Sequence, residues 1–201
     1  MSATDIVFAT RNTGKIREVK EYFTNSLFHI LSLDDIGFNA SIIEDGDTFE
    51  DNAAKKAREV CRACGKIVLA DDSGLIIDAL NGAPGVDSAN FLGADTPYAT
   101  RNAKILEKMA DVPENRRTAR FVCVIAIAVP GRDIVFQRAE LHGQIARAVA
   151  GDNGFGYDPI FFLPQFGITT AQMDVARKNE ISHRGQALRL TRAELEKLVK
   201  T

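Results

Sequence analysis

A turn signal, Pro130-Gly131-Arg132-Asp133, separates two segments rich in strand-forming residues, Arg120 to Val129 and Ile134 to Val149. Two such segments around a short turn predict a β-hairpin of two long strands. The sequence ahead of the hairpin has a different rhythm. Ile6 to Ala9 reads as a short apolar strand, the turn through Gly14-Lys15 opens a helix to about Phe23, and Phe28 to Leu33 reads as a second strand. Thr48-Phe49-Glu50-Asp51 resembles a capping box and opens a helix to about Ala63. Ile67 to Ala70 reads as a buried strand with Asp71 and Asp72 at its end, and Leu75 to Leu80 as another strand. Pro97 to Met109 reads as a helix with Pro97 in its first turn. Ile160-Phe161-Phe162 reads as a strand, and a last helix spans about Gly185 to Lys200. Strands and helices that alternate before a hairpin predict an α/β fold on a mixed sheet.

A chain of 201 residues suffices for one large domain or two small lobes. No repeat or linker divides it. A net charge of −2 gives no basic field to attract nucleic acid, so any phosphate must be met by a few placed Lys and Arg. The first residues lack the basic and apolar regions of a signal peptide, and the longest apolar run, Phe121 to Val129, is too short to span a bilayer. Three cysteines make no disulfide framework. A cytoplasmic enzyme is expected, with no membrane or nucleic-acid partner. Cys61 and Cys64 have redox or half-zinc spacing, but no second pair follows; they fall on the apolar stripe Ala53, Ala57, Val60 and read as core.

Four constellations carry chemistry. Ala9-Thr10-Arg11-Asn12-Thr13-Gly14-Lys15 joins a strand to a helix, where backbone N–H groups and the helix dipole favour phosphate. It is not a P-loop, because Ala9 stands at the first Gly position and Ile16 follows the lysine. An ordinary strand–helix turn with a surface lysine is the plain alternative. The acids Glu44-Asp45-Gly46 and the acidic turn Asp71-Asp72-Ser73-Gly74 suit a hard cation, since several ionised carboxylates beside a triphosphate repel one another. If the strand continues through Asp71, the two aspartates point to opposite faces and one of them suffices. Asn52 and Lys56, four apart, share a helix face. Gly154-Phe155-Gly156-Tyr157-Asp158-Pro159 offers an aromatic face and a carboxylate, and Ser182-His183-Arg184-Gly185 offers two donors. A purine needs a stacking surface and groups that read its edge. Core packing of Phe155 and Tyr157, with His183-Arg184 at a helix start, is the alternative.

Six motifs in order extend this reading: Ala9-Thr10-x-Asn12-x-Gly14-Lys15, Thr48-Phe49-x-x-Asn52-Ala53-x-x-Lys56-Ala57, Ala70-Asp71-Asp72-Ser73-Gly74-Leu75, Gly82-Ala83-Pro84-Gly85, the Gly154 to Pro159 segment, and Ile181-Ser182-His183-Arg184-Gly185-Gln186-Ala187. The set resembles the inosine/xanthosine triphosphate pyrophosphatase family over nearly the whole chain. The resemblance implies one domain over residues 1–201 with two lobes and a central cleft, a long mixed sheet flanked by helices, and a homodimer. It implies Mg²⁺-dependent hydrolysis of deaminated purine triphosphates (ITP, dITP, XTP) to monophosphate and pyrophosphate. Thr10, Arg11, Asn12, Thr13, Gly14 and Lys15 would hold phosphates. Asp72 would be general base and metal ligand, Lys15 and Lys56 would share the electrostatic work, and Ser73 would touch substrate. Phe155, Gly156, Tyr157, Asp158, Lys178, His183 and Arg184 would hold the nucleoside and phosphates. Many members have Gly where this chain has Arg11, and two acids where Ile43 precedes Glu44; Glu44 is assigned as the second metal ligand, with Asp45 the alternative. A purine-nucleotide-binding module without hydrolysis is the rival function.

Overall fold

The early alternation resolves into β1 (Thr4–Phe8), α1 (Thr13–Tyr22), β2 (Phe28–Leu31), α2 (Phe49–Cys64) and β3 (Ile67–Ile77). Then come α3 (Tyr98–Lys108), β4 (Thr118–Ala128), β5 (Val135–Ile145), β6 (Phe161–Leu163), β7 (Ile168–Thr169), α4 (Val175–Ile181) and α5 (His183–Val199). These come from a computed structural model that describes residues 3–199. The strands form one sheet in the order β2-β1-β3-β4-β5-β6-β7. β1 runs parallel to β2 and β3, whereas β6 is antiparallel to β5 and β7, so the sheet is mixed.

The chain divides into two compact units, and β3, β4 and β5 give residues to both. The first unit holds the residues up to Asp72, Cys123–Ala139, and those from Ala187. Its core joins Ile6 and Phe8 of β1, Val19 of α1, Phe28 and Ile30 of β2, Leu69 of β3, Ile125 and Ile127 of β4, and Leu188 and Leu195 of α5. Helix α2 starts as its sequence demands. Thr48 is the N-cap and accepts from the Asp51 N–H at 3.1 Å, Glu50 and Asp51 oppose the positive helix end, and Gly65 stops the helix at φ +64°. The reciprocal half of a capping box is replaced by a Thr48 hydroxyl bond to the Asp51 carboxylate at 2.6 Å. Its buried stripe includes Ala53, Ala57, Val60 and Cys61, with Cys64 half-buried, and all three cysteines are free thiols.

The second unit, Ser73–Val122 and Glu140–Gln186, packs Leu75 and Ile77 of β3, Ile105 of α3, Phe121 of β4, Leu141 and Ile145 of β5, and Phe161 and Leu163 of β6. Buried Arg117 donates to the carbonyls of Met109, Ile145 and Ala146, tying the end of α3 to β5.

Three expected elements differ. Asp71-Asp72-Ser73-Gly74 is not a turn between two strands; it lies inside the eleven-residue β3, and Asp78–Leu80 is a 3-10 turn. β1 pairs with Ile67 to Leu69 of β3, and β4 is the hydrogen-bonded neighbour on its other side, so inter-strand bonding overrides the local turn preference of Asp, Ser and Gly. β5 ends at Ile145, four residues before the expected Val149. The last helix opens at His183 rather than Gly185, and its expected end, Lys200, lies outside the described residues.

Candidate functional site

The first unit gathers carboxylates and lysines. At the start of α1 the Asn12 side chain accepts from the Lys15 N–H at 3.1 Å. No acid occupies that first turn, so the positive helix end is uncompensated there. Thr10 receives the Asn12 N–H at 3.3 Å, and Thr13 and Gly14 lie in the first turn. The strand places Asp71 and Asp72 on opposite faces, and they meet different helices. Asp71, with a side chain fully shielded from solvent, pairs with Lys15 of α1 at 2.9 Å. Asp72 pairs with Lys56 of α2 at 3.6 Å and accepts from the Asn52 amide at 3.3 Å.

Lys56 also holds Glu44 at 2.5 Å, whereas Asp45 turns to Lys55. Of the two candidate acids, Glu44 therefore joins the Asp72 cluster. Asn52 fixes the loop that carries it, accepting from the Gly46 N–H at 2.8 Å. Arg11 points elsewhere: its guanidinium donates to the Phe38 carbonyl at 3.0 Å and approaches Asp34 at 3.6 Å.

Burial sets the protonation behaviour of this cluster. It pushes the Asp72 carboxyl up to about 6, against the opposing pull of Lys56 and Lys15. For Lys56 the balance reverses. Burial disfavours the ammonium, but the carboxylates of Asp72, Asp71 and Glu44 together outweigh it and raise its pKa. Two ammoniums, Lys15 and Lys56, thus stand against three carboxylates, Glu44, Asp71 and Asp72. The hard carboxylate oxygens fit a divalent cation such as Mg²⁺. Among the described residues no group of three or more His, Cys, Asp or Glu has metal-binding geometry. A cation held by Glu44 and Asp72 would therefore keep positions open for phosphate oxygens and water.

The second unit builds an aromatic face with cations around it. The Phe155 N–H donates to Asp158 Oδ2 at 2.8 Å, and Lys178 Nζ reaches the same oxygen at 2.7 Å. Thr170 donates to the other oxygen, Oδ1, at 2.8 Å. Asp158 is thus buried and shapes its own turn. Gly154 is required there: its φ is +78°, and a Cβ would collide with the Asp158 carboxylate. Lys178 Nζ stands 4.9 Å from the Phe155 ring centroid, and the Arg184 guanidinium 5.5 Å. Both distances suit attraction to the ring face.

Arg184 also approaches the Ser73 hydroxyl at 3.5 Å, and His183 stacks on Phe121 at 4.8 Å with 17° between planes. Tyr157 is placed in the core. Its hydroxyl donates to the Ser88 carbonyl at 2.8 Å and its ring meets Tyr98 edge-on at 5.2 Å, so its phenol is committed to the fold.

Asn52, singled out with Lys56 by their i, i+4 spacing, does contact Asp72. Asn102 of α3 donates to the Gly156 carbonyl at 3.1 Å across 54 positions, with no local signal to find it.

A profile of the Ham1 family matches residues 6–194 of this chain. A dITP/XTP pyrophosphatase of Shouchella clausii is 45% identical over 192 residues, 96% of each chain. A dITP/XTP pyrophosphatase of Listeria monocytogenes is 44% identical over 194 residues, again 96% of each. Among solved structures, a HAM1 protein from Coxiella burnetii is similar with a TM-score of 0.88 and 39% identity, covering 96% of this chain and 99% of its own. The Staphylococcus aureus Ham1 protein has a TM-score of 0.86 and 38% identity, covering 96% and 98%.

Proposed function

We propose, from the premise that this chain belongs to the Ham1 family, that it hydrolyses deaminated purine nucleoside triphosphates to monophosphate and pyrophosphate. ITP, dITP and XTP are the substrate class. The observation that carries the reading is the buried Asp72 carboxylate, held by Asn52 and Lys56 and raised to about 6. A carboxylate in that state is still ionised at neutral pH and is a stronger base than an exposed one.

The turn from Thr10 to Lys15 takes phosphate oxygens on backbone N–H groups, and Lys15 and Lys56 oppose the charge that develops during transfer. Mg²⁺, held by Glu44 and Asp72, would supply charge neutralisation at the phosphates. Asp72 orients a water for attack on the α-phosphorus and accepts its proton, and pyrophosphate leaves. Phe155 stacks on the base beside Lys178. Arg184 or His183 donates to the 6-keto oxygen shared by inosine and xanthosine. Adenosine carries a 6-amino donor at that position and would leave those groups unpaired.

The same reading makes the protein a cytoplasmic homodimer that removes such nucleotides from the precursor pool. The net charge of −2 supports a free nucleotide over a nucleic acid as its ligand. Among the described residues no helix is long and apolar enough to cross a membrane.

The test is release of pyrophosphate from ITP, dITP, XTP, ATP and GTP, with Mg²⁺ and with EDTA. Metal-dependent pyrophosphate from the first three, and little from ATP, is expected. Orthophosphate as the product would move the cleaved bond and discard the assignment. No turnover of any substrate would leave a nucleotide-binding module.

A further inference from the structure

Helix α3 contributes none of the charged groups assigned above, yet one of its faces converges on a single residue of the base-stacking turn. Tyr98 and Asn102 are four apart and lie on one side of the helix. The Asn102 Nδ2 donates to the Gly156 carbonyl at 3.1 Å. The Tyr98 ring lies under the same glycine, 3.6 Å from where a Cβ would stand, and meets Tyr157 edge-on. Gly156 adopts φ +69° and is bonded directly to Phe155. Its backbone therefore sets where the Phe155 ring is presented.

The orientation of the Asn102 amide is dictated by its partner. A carbonyl only accepts, so the NH₂ must face Gly156 and Oδ1 must face away. Asn102 is 3% exposed, and that Oδ1 has no hydrogen-bond partner among the described residues. A buried acceptor left unpaired is costly, and a leucine of similar size would avoid the cost. What leucine lacks is the donor to Gly156. The two ends of one amide thus point to a residue retained for the turn it holds.

We propose that Asn102 is a positioning residue for nucleoside recognition. It pins the Gly156 carbonyl so that the Phe155 ring is held ready to stack on a purine. It acts through Phe155. This inference rests on the reading of Phe155 as the base-stacking residue.

The test compares two ligands on the intact chain: IMP, which carries the base, and inorganic tripolyphosphate, which does not. Affinities are measured by calorimetry for the wild type, Asn102→Leu and Asn102→Ser, with melting curves to establish folding. Loss of a neutral buried hydrogen bond to the turn is expected to weaken IMP binding about tenfold in both variants, a change of about 1.4 kcal/mol. Tripolyphosphate affinity is expected to stay within about twofold.

A folded variant that binds IMP as the wild type does overturns the inference. Equal weakening of both ligands also overturns it, since that is the mark of general structural damage. The serine variant keeps the question answerable if leucine prevents folding. Because binding rather than turnover is read, a wild type that binds IMP but hydrolyses no triphosphate would remove the hydrolase reading and leave this inference standing.

Discussion

The two units arrange their charged groups in different ways. The first sets Glu44, Asp71 and Asp72 against Lys15 and Lys56 in direct ion pairs. The second sets Lys178 and Arg184 against the face of the Phe155 ring, with Asp158 holding Lys178. One arrangement suits a cation with its phosphates; the other suits an electron-rich base edge. The means differ as well. Charges in the first unit hold each other, so removing one disturbs the rest. In the second, a carboxylate builds the turn and an aromatic ring carries the contact.

If that division is right, the largest effect comes from Asp72. Asp72→Asn keeps the shape and removes the base, and kcat for ITP is expected to fall by roughly 10²–10⁴-fold. KM should change by no more than a few fold. Steady-state kinetics check this, and near-normal turnover would end the assignment. Phe155→Ala should show the converse. Stacking is worth about 1–3 kcal/mol per base, so KM should rise by about 5–150-fold with kcat little altered. A loss confined to kcat would mean that the ring serves chemistry rather than binding. Arg184→Ala is expected to narrow the ITP-over-ATP preference by about tenfold in kcat/KM. Unchanged selectivity would place base reading elsewhere.

A smaller effect is expected for Asn52→Ala, which frees the Glu44 loop from Asp72. The Mg²⁺ concentration for half-maximal rate should rise by about threefold to tenfold, as for a lost partner behind a metal ligand. The KM for ITP at saturating Mg²⁺ should hold. A change in KM alone would contradict that role.

The smallest effect is one of stability. The Asp72 carboxyl is raised from 3.8 to about 6 by burial, so its protonated form suits the fold and its ionised form costs stability. That stabilisation is fully present below the unfolded value near 3.8 and is lost as pH rises through about 6. In EDTA, Asp72→Asn should therefore melt close to the wild type at pH 4 and above it at pH 7.5. Roughly 1.4 kcal/mol per pKa unit bounds the gain at about 3 kcal/mol. A variant that melts lower at pH 7.5 would mean that the ion pair with Lys56 outweighs the burial cost.

Much of this was legible residue by residue. Asn12 and Thr48 mark helix starts by their own side-chain chemistry, and Gly65 marks a helix end. The apolar stripe through Ala53, Ala57 and Val60 announces a packed face. Other features were hidden. Asp-Asp-Ser-Gly has the composition of a turn and lies within a central strand. Helix α4, which carries Lys178, has only seven residues, too few for a clear periodic pattern. Tyr157 resembles a ligand contact beside Phe155, but its hydroxyl is spent on Ser88, 69 positions away.

The sequence alone therefore determined which functional groups are present, where most elements begin, and what class of ligand those groups suit. Those properties reside in single side chains and in spacings of three or four residues. Tertiary structure decided that Asp71 meets Lys15 while Asp72 meets Lys56 and Asn52, that Glu44 rather than Asp45 joins Asp72, and that Asn102 stands behind Phe155. Each of those outcomes depends on strand pairing and burial, which bring together groups far apart in the chain and make a polar contact worth keeping only once water has been excluded.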